Sequence, residues 1–198
     1  MKTKTKMNNL IDRYDFDDIG LIAKHCNNEK LRIAIREAQE FDLKRLLCGF
    51  YFDVYNNWRN ENLSWQKLIL GGSYTNCKNQ NITFGGLKLA LIYFSYSRYI
   101  VLNNFDDTPN GGVTKSDSFS IPKPLKELHQ FSNKYSSMAK QVFEESMLYL
   151  CTEEDNVLFE NYDFCNCSNN CECGCGCDTK PNKRNRGHGL KSNNISKY

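Results

Sequence analysis

The stretch FGGLKLALIYFSYSRYIVLNNF, residues 84 to 105, decides how the rest of the chain is read. Leu87, Leu91, Phe94, Tyr96 and Val101 are joined by apolar neighbours on nearly every side of the helix they would form. A surface helix needs one polar face, so a segment of this kind belongs at the centre of a bundle or in a subunit contact. The flanking segments are therefore read as helices that cover it.

Upstream, FDDIGLIAKHC from Phe16 predicts a short helix, with Asp17 and Asp18 opposing the positive end of its dipole. Asn27 or Asn28 is suited to cap a longer helix. Its expected apolar face runs through Leu31, Ala34, Ile35, Ala38, Phe41, Leu46 and Leu47, with Arg32, Arg36, Glu40 and Lys44 mostly opposite. Gly49 weakens that helix without necessarily ending it. Ser64 is the expected cap of WQKLIL, which stops at Gly71-Gly72, and SYTNCKNQN reads as a polar loop.

Downstream, TPNGGVTKSDSFSIPKP differs from everything before it. Asn110-Gly111-Gly112 offers positive-φ positions for a tight turn, flanked by Val113, Phe119 and Ile121, which predicts a β-hairpin-like arm over about 105–122. The arm either packs on its own subunit or reaches a neighbour; loops this long are usually functional or disordered. Pro122 and Pro124 close it, and Pro124 fits the first turn of a new helix. Leu128, Phe131, Tyr135, Met138, Val142 and Tyr149 then give the strongest amphipathic pattern in the chain.

The expected fold class is mainly α: a bundle of four to five helices over residues 1–152, with a protruding arm and an irregular tail over 153–198. A hydrophobic content of 40% suffices for a core without disulfide staples, and a net charge of +3 is too small to announce nucleic-acid binding. No apolar run is long enough for a membrane span, and MKTKTKMNNLIDRYDFDD has no apolar core of a secretory signal. Scattered cysteines without such a signal fit assembly in a reducing cytoplasm. Catalytic patterns are missing: the glycine pairs lack a following Gly-Lys-Ser/Thr, and no HExxH or GxSxG occurs. His25, His129 and His188 have no partners at catalytic spacing, so no enzymatic activity is expected.

The tail carries CNCSNNCECGCGC, with Cys165, Cys167, Cys171, Cys173, Cys175 and Cys177 spaced C-x-C-x3-C-x-C-x-C-x-C. Zinc knuckles use C-x2-4-C pairs separated by a longer loop, and this spacing departs from them. It is closer to an alternating thiolate cluster, for which zinc or another thiophilic metal is the expected ion. Disulfides and free thiols remain open beside the metal. After Asp178 six basic residues and no acidic one follow; Lys183, Arg184 and Arg186 are candidates for contact with DNA phosphates or an acidic partner.

The order of segments over residues 10 to 152 resembles the head–tail connector (neck adaptor, ring) proteins of tailed bacteriophages, the crAss-like type in particular. Glu37-Ala38-Gln39 with Leu46-Leu47-Cys48-Gly49 carries one part of the likeness. Gly86-Leu87-Lys88 with Tyr93, Tyr96, Arg98 and Tyr99 carries a second, and Thr108-Pro109 with Gly111-Gly112-Val113 a third. The cysteine cluster matches no feature of that family. The resemblance implies a virion protein, assembled in the bacterial cytoplasm into a homo-oligomeric ring of about twelve copies. Such a ring joins the portal to the tail around a channel that DNA crosses without sequence-specific contact. Thr108, Asn110, Gly111, Gly112, Val113, Phe119 and Ile121 in the arm, with Tyr93, Tyr96, Arg98 and Tyr99, are the expected interface residues. The alternative is a metal-stabilised nucleic-acid- or protein-binding module that acts through the cysteine-rich tail.

Overall fold

The computed structural model describes residues 8–20, 26–76, 78–108, 111–114 and 124–150. Helix α5, Gly86–Asn103, is the central element: Leu87, Leu91 and Phe94 are buried on one side, and Ala90, Ile92, Ser95, Ser97 and Tyr99 on others. Three helices pack round it: α1 (Asn28–Glu37), α4 (Leu63–Leu70) and α6 (Leu125–Leu150). The result is a mainly α-helical bundle with small antiparallel hairpins. The expected bundle and its central helix are both present.

Helix α1 starts at the Asn27 cap, whose side-chain oxygen accepts from the amides of Glu29 and Lys30. Leu31, Ala34 and Ile35 are buried as the spacing predicts. Beyond them the predicted face holds at Ala38 and Leu47 but fails at Phe41 and Leu46. Residues Ala38–Leu43 form a π-helical segment before α2, Lys44–Leu47, and its wider turn takes up an extra residue. Everything after that segment is rotated by roughly the 100° that one residue subtends. Gln39, Leu43 and Leu47 therefore face the core, while Phe41 is 63% exposed and Leu46 is 39% exposed. A 3-10 turn, Cys48–Phe50, then leads through Gly49 into α3, Tyr51–Asn57, where Phe50, Tyr51 and Val54 return to the core.

Three further expectations shift. The first helix is a 3-10 turn, Tyr14–Ile19, closed by Gly20 in the left-handed region. The cap of α4 is Asn62, whose side chain accepts from Ser64 N at 2.9 Å, because the capping oxygen must precede the unpaired amide that it serves. The polar loop is a hairpin: β1 (Gly72–Thr75) pairs antiparallel with β2 (Asn81–Phe84), Tyr74 opposite Ile82. Asn76 organises the bend, its side-chain oxygen accepting from Lys78 N and Gln80 N. Tyr74 and Phe84 share the inner face and pack on Tyr149 of α6, the Phe84 ring stacking at 4.9 Å.

Two glycines let this hairpin close. Gly71 and Gly86 have φ of +87° and +74°. A Cβ on Gly86 would sit 2.3 Å from Gly71 N and 2.6 Å from Ile69 O, so the end of α4 touches the start of α5 through bare backbone.

The seam between α5 and α6 is built differently from its prediction. Helix α6 begins after Pro124, whose carbonyl accepts from Glu127 N and Leu128 N. Leu128, Tyr135, Val142 and Tyr149 do turn inward, wholly or in part. Met138 is half-buried too, but Phe131 is 41% exposed, and the deepest positions of the second row are Ala139 and Ser146, both fully buried, with Ser132 half-buried. Small side chains allow the helices to approach closely, and the serines satisfy their own hydroxyls. Ser146 Oγ donates to Val142 O at 2.8 Å, and Ser97 Oγ of α5 donates to Ser132 O at 2.9 Å.

Candidate functional site

The residues singled out on α5 lie at the centre of the molecule's polar network. Arg98 Nε donates to Asp42 Oδ2 at 2.6 Å and Nη2 to Asp42 Oδ1 at 3.1 Å, while Nη1 lies 3.5 Å from Glu37. The hydrogen bond to Asp42 is the largest influence holding the guanidinium above its already high range. Arg98 also lies over the Phe41 ring at 5.7 Å. One side chain thus clasps both ends of the π-helical segment, which explains how Asp42 comes to face α5 at all. Tyr99 is buried, and its hydroxyl accepts from Asn27 N at 3.2 Å, tying α5 to the start of α1. Burial raises the Tyr99 pKa, with that backbone hydrogen bond opposing. Tyr93 and Tyr96 are half-buried against Tyr135 of α6; Tyr96 meets it edge-on at 4.7 Å. Burial, then the Tyr135 neighbour, raises the Tyr96 pKa. All four predicted interface residues of α5 have partners within the chain.

The arm begins at once after α5. Strand β3, Phe105–Thr108, pairs antiparallel with β4, Gly111–Thr114, with Thr108 opposite Gly111 and Asp106 opposite Val113. This register places Gly111 and Gly112 in strand β4, where the sequence had suggested an Asn110-Gly111-Gly112 turn. Thr108, Gly111, Gly112 and Val113 are thus brought together in one ribbon. Lys30 of α1 donates to Phe105 O and fixes the ribbon's root to the bundle. Each hairpin is a separate two-stranded sheet, so among the described strands neither outer edge of β3–β4 is paired.

Sequence patterns missed a third feature, an open cleft of about 480 Å³ between the N-terminal segment and α1. Arg13, Arg32 and Arg36 line it with Asn9 and Asn28, and Leu31, Ile33 and Ile35 supply apolar wall. Asn9 Nδ2 donates to Arg32 O, and Arg13 Nη1 donates to Asn28 Oδ1 at 3.4 Å. The N-terminal segment is anchored from below by Gln39: its buried amide accepts from Leu10 N at 2.9 Å and donates to Asn8 O at 3.2 Å. Arg32 and Arg36 stand exposed on the side of α1 opposite its apolar row, as their spacing predicts. Only the folding back of residues 8–13 makes that side a concavity.

Asn110, Phe119 and Ile121 lie outside the described residues, as do the six clustered cysteines and Lys183, Arg184 and Arg186. Among the described residues no group of three histidine, cysteine or carboxylate side chains is placed to hold a metal ion. Cys26 and Cys48 are free thiols. No described helix is long and apolar enough to cross a membrane.

No curated protein and no solved structure matches the chain. A family model does match, over residues 43–172. That range runs from the end of the π-helical segment through the bundle, the ribbon and α6 into the first clustered cysteines, and it takes in more than half of the 198 residues. The chain belongs to this family, described as a family of unknown function (DUF6712).

Proposed function

We propose that the protein is a structural component of a bacteriophage virion, forming a ring in the neck that joins the portal to the tail around the DNA channel. The observation that carries this proposal is the β3–β4 ribbon, which follows α5 and is rooted on Lys30 of α1, with both outer edges open among the described strands. An open edge can add a strand from a neighbouring chain through main-chain hydrogen bonds, and flat ribbons left open otherwise invite uncontrolled pairing. The segment resemblance to neck adaptors supports the same conclusion. On this proposal the chain acts by assembly and docking, without catalysis, in a ring of about twelve copies. Its partners are the portal and adjacent neck or tail proteins, and DNA passes without sequence-specific contact.

Electron microscopy of the purified chain, alone and with the portal, tests this: closed rings are expected, and a uniformly monomeric chain in both conditions overturns it. The six-cysteine spacing favours a second function, a metal-stabilised binding module in the tail. Elemental analysis with thiol counting decides that one, since six titratable thiols and no zinc or copper would remove it.

A further inference from the structure

The cleft beside α1 is basic, partly apolar and not filled by the described chain. Arg32 and Arg36 are exposed, and no ion pair among the described residues involves either. The one carboxylate in the wall, Asp12, is turned to the backbone, where its Oδ1 accepts from Tyr14 N at 2.8 Å. Arg32 and Arg36 present fork-shaped donors suited to carboxylates, over an apolar wall that includes Ile33, and Arg13, bonded to Asn28, adds to the positive charge.

The same chain carries the complement. Directly after α6 comes TEEDNVLFENYDF, residues 152–164, which lies outside the described residues. It opens on Glu153, Glu154 and Asp155, continues through Val157, Leu158 and Phe159, and adds Glu160 and Asp163. No basic residue interrupts it. A closed ring is built by head-to-tail contact, in which each chain offers two different surfaces that fit each other. We infer that the arginine cleft receives the acidic segment 152–164 of a neighbouring copy, its carboxylates on Arg32 and Arg36 and its apolar triplet against Ile33. This rests on the ring-forming proposal and specifies one of its contacts.

Charge-swap complementation in the full-length chain tests it. One variant carries Arg32→Glu and Arg36→Glu; the other carries Glu153→Lys, Glu154→Lys and Asp155→Lys. Circular dichroism confirms that each is folded, and particle mass is read in low salt by mass photometry. Each variant alone should lose assembled mass by at least about tenfold, because like charges then face each other across the contact. Mixing the two variants should restore it, and so should one chain carrying all five changes.

If both variants assemble as the unmodified chain does, the inference falls while the ring proposal stands. Rescue only within one chain, and none on mixing, means that the segment occupies its own cleft and overturns the neighbour contact. Loss of DNA-duplex binding by the arginine variant with assembly intact assigns the cleft to nucleic acid instead. An unmodified chain that never exceeds monomer mass, even with the portal, removes the ring proposal and this inference together.

Discussion

The two halves of the bundle are held together by opposite means. Where α4, α5 and α6 meet, contact is made by removing side chains: Gly71 and Gly86 touch through backbone, and Ala139 and Ser146 are fully buried in the seam. Where α1 and its π-helical extension meet α5, contact is made by adding long polar side chains. Arg98 clasps Asp42 and Glu37, and Gln39 holds the N-terminal segment. The first half tolerates no added volume, while the second tolerates volume but no loss of a donor or acceptor. The ribbon and the cleft, the two surfaces proposed for assembly, are rooted at the second half, on Lys30 and on α1. An interface built on a polar clasp can be retuned by salt and charge; one built on glycine contacts cannot.

The largest expected effect lies in the first half. Gly86→Ala places a methyl 2.3 Å from backbone at a positive φ, so both strain and overpacking apply. A loss of about 3 kcal/mol or more is expected in urea unfolding. Ala139→Leu, in the α5–α6 seam, should cost about 2 kcal/mol, and Phe131→Leu on the same helix almost nothing, since Phe131 is 41% exposed. Equal losses for the two would show that the seam does not run along the small-residue row.

In the second half the first probe is pH. Tyr51 is fully buried, and burial pushes its phenol up to about 12 from 10.0, with the Gln39 side chain opposing. A folded pKa above the unfolded value means that this contribution is intact below pH 10.0 and is lost as pH rises toward about 12. Tyr51→Phe should flatten that part of the alkaline stability profile by on the order of 2 kcal/mol. Gln39→Leu leaves the buried Leu10 amide without its acceptor and should cost about 1–2 kcal/mol. Hydrogen exchange at Leu10 should accelerate while the α5–α6 seam stays protected. Arg98→Lys has the smallest effect in this half. It gives up the two-pronged bond to Asp42 at a site still about a third exposed, so roughly 1 kcal/mol is expected, diminishing in high salt. If salt leaves that difference unchanged, Arg98 acts by packing on Phe41 rather than by charge.

These contrasts also explain what was readable beforehand. The centre of α5 was legible because Leu87, Leu91 and Phe94 sit in a segment apolar on nearly every face, which has only one place to go. The Asn27 cap was legible because capping is decided within three residues. The face of α1 was legible as far as Ala38 and again at Leu47, but not at Phe41 or Leu46. Phe41 and Leu46 look like core residues under a 3.6-residue repeat, and nothing local marks the π-helical turn that expels them. The α6 seam was only partly legible for a related reason: Ser132, Ala139 and Ser146 carry no apolar signal, so Phe131 looked like a better seam residue than any of them. The α5 residues singled out for an interface have partners within the chain, and the arginine cleft was missed because its two walls are distant in sequence.

The sequence by itself determined a helical bundle around residues 86–103, a two-stranded ribbon straight after it and a change of character beyond residue 150. Each of these depends on short-range periodicity, turn residues or composition, and all three are local quantities. Only the tertiary structure decided which rows of α1 and α6 face inward and which arginines share a cleft. Those outcomes depend on how closely two helices can approach, and on one extra residue in one turn, which no single segment can report.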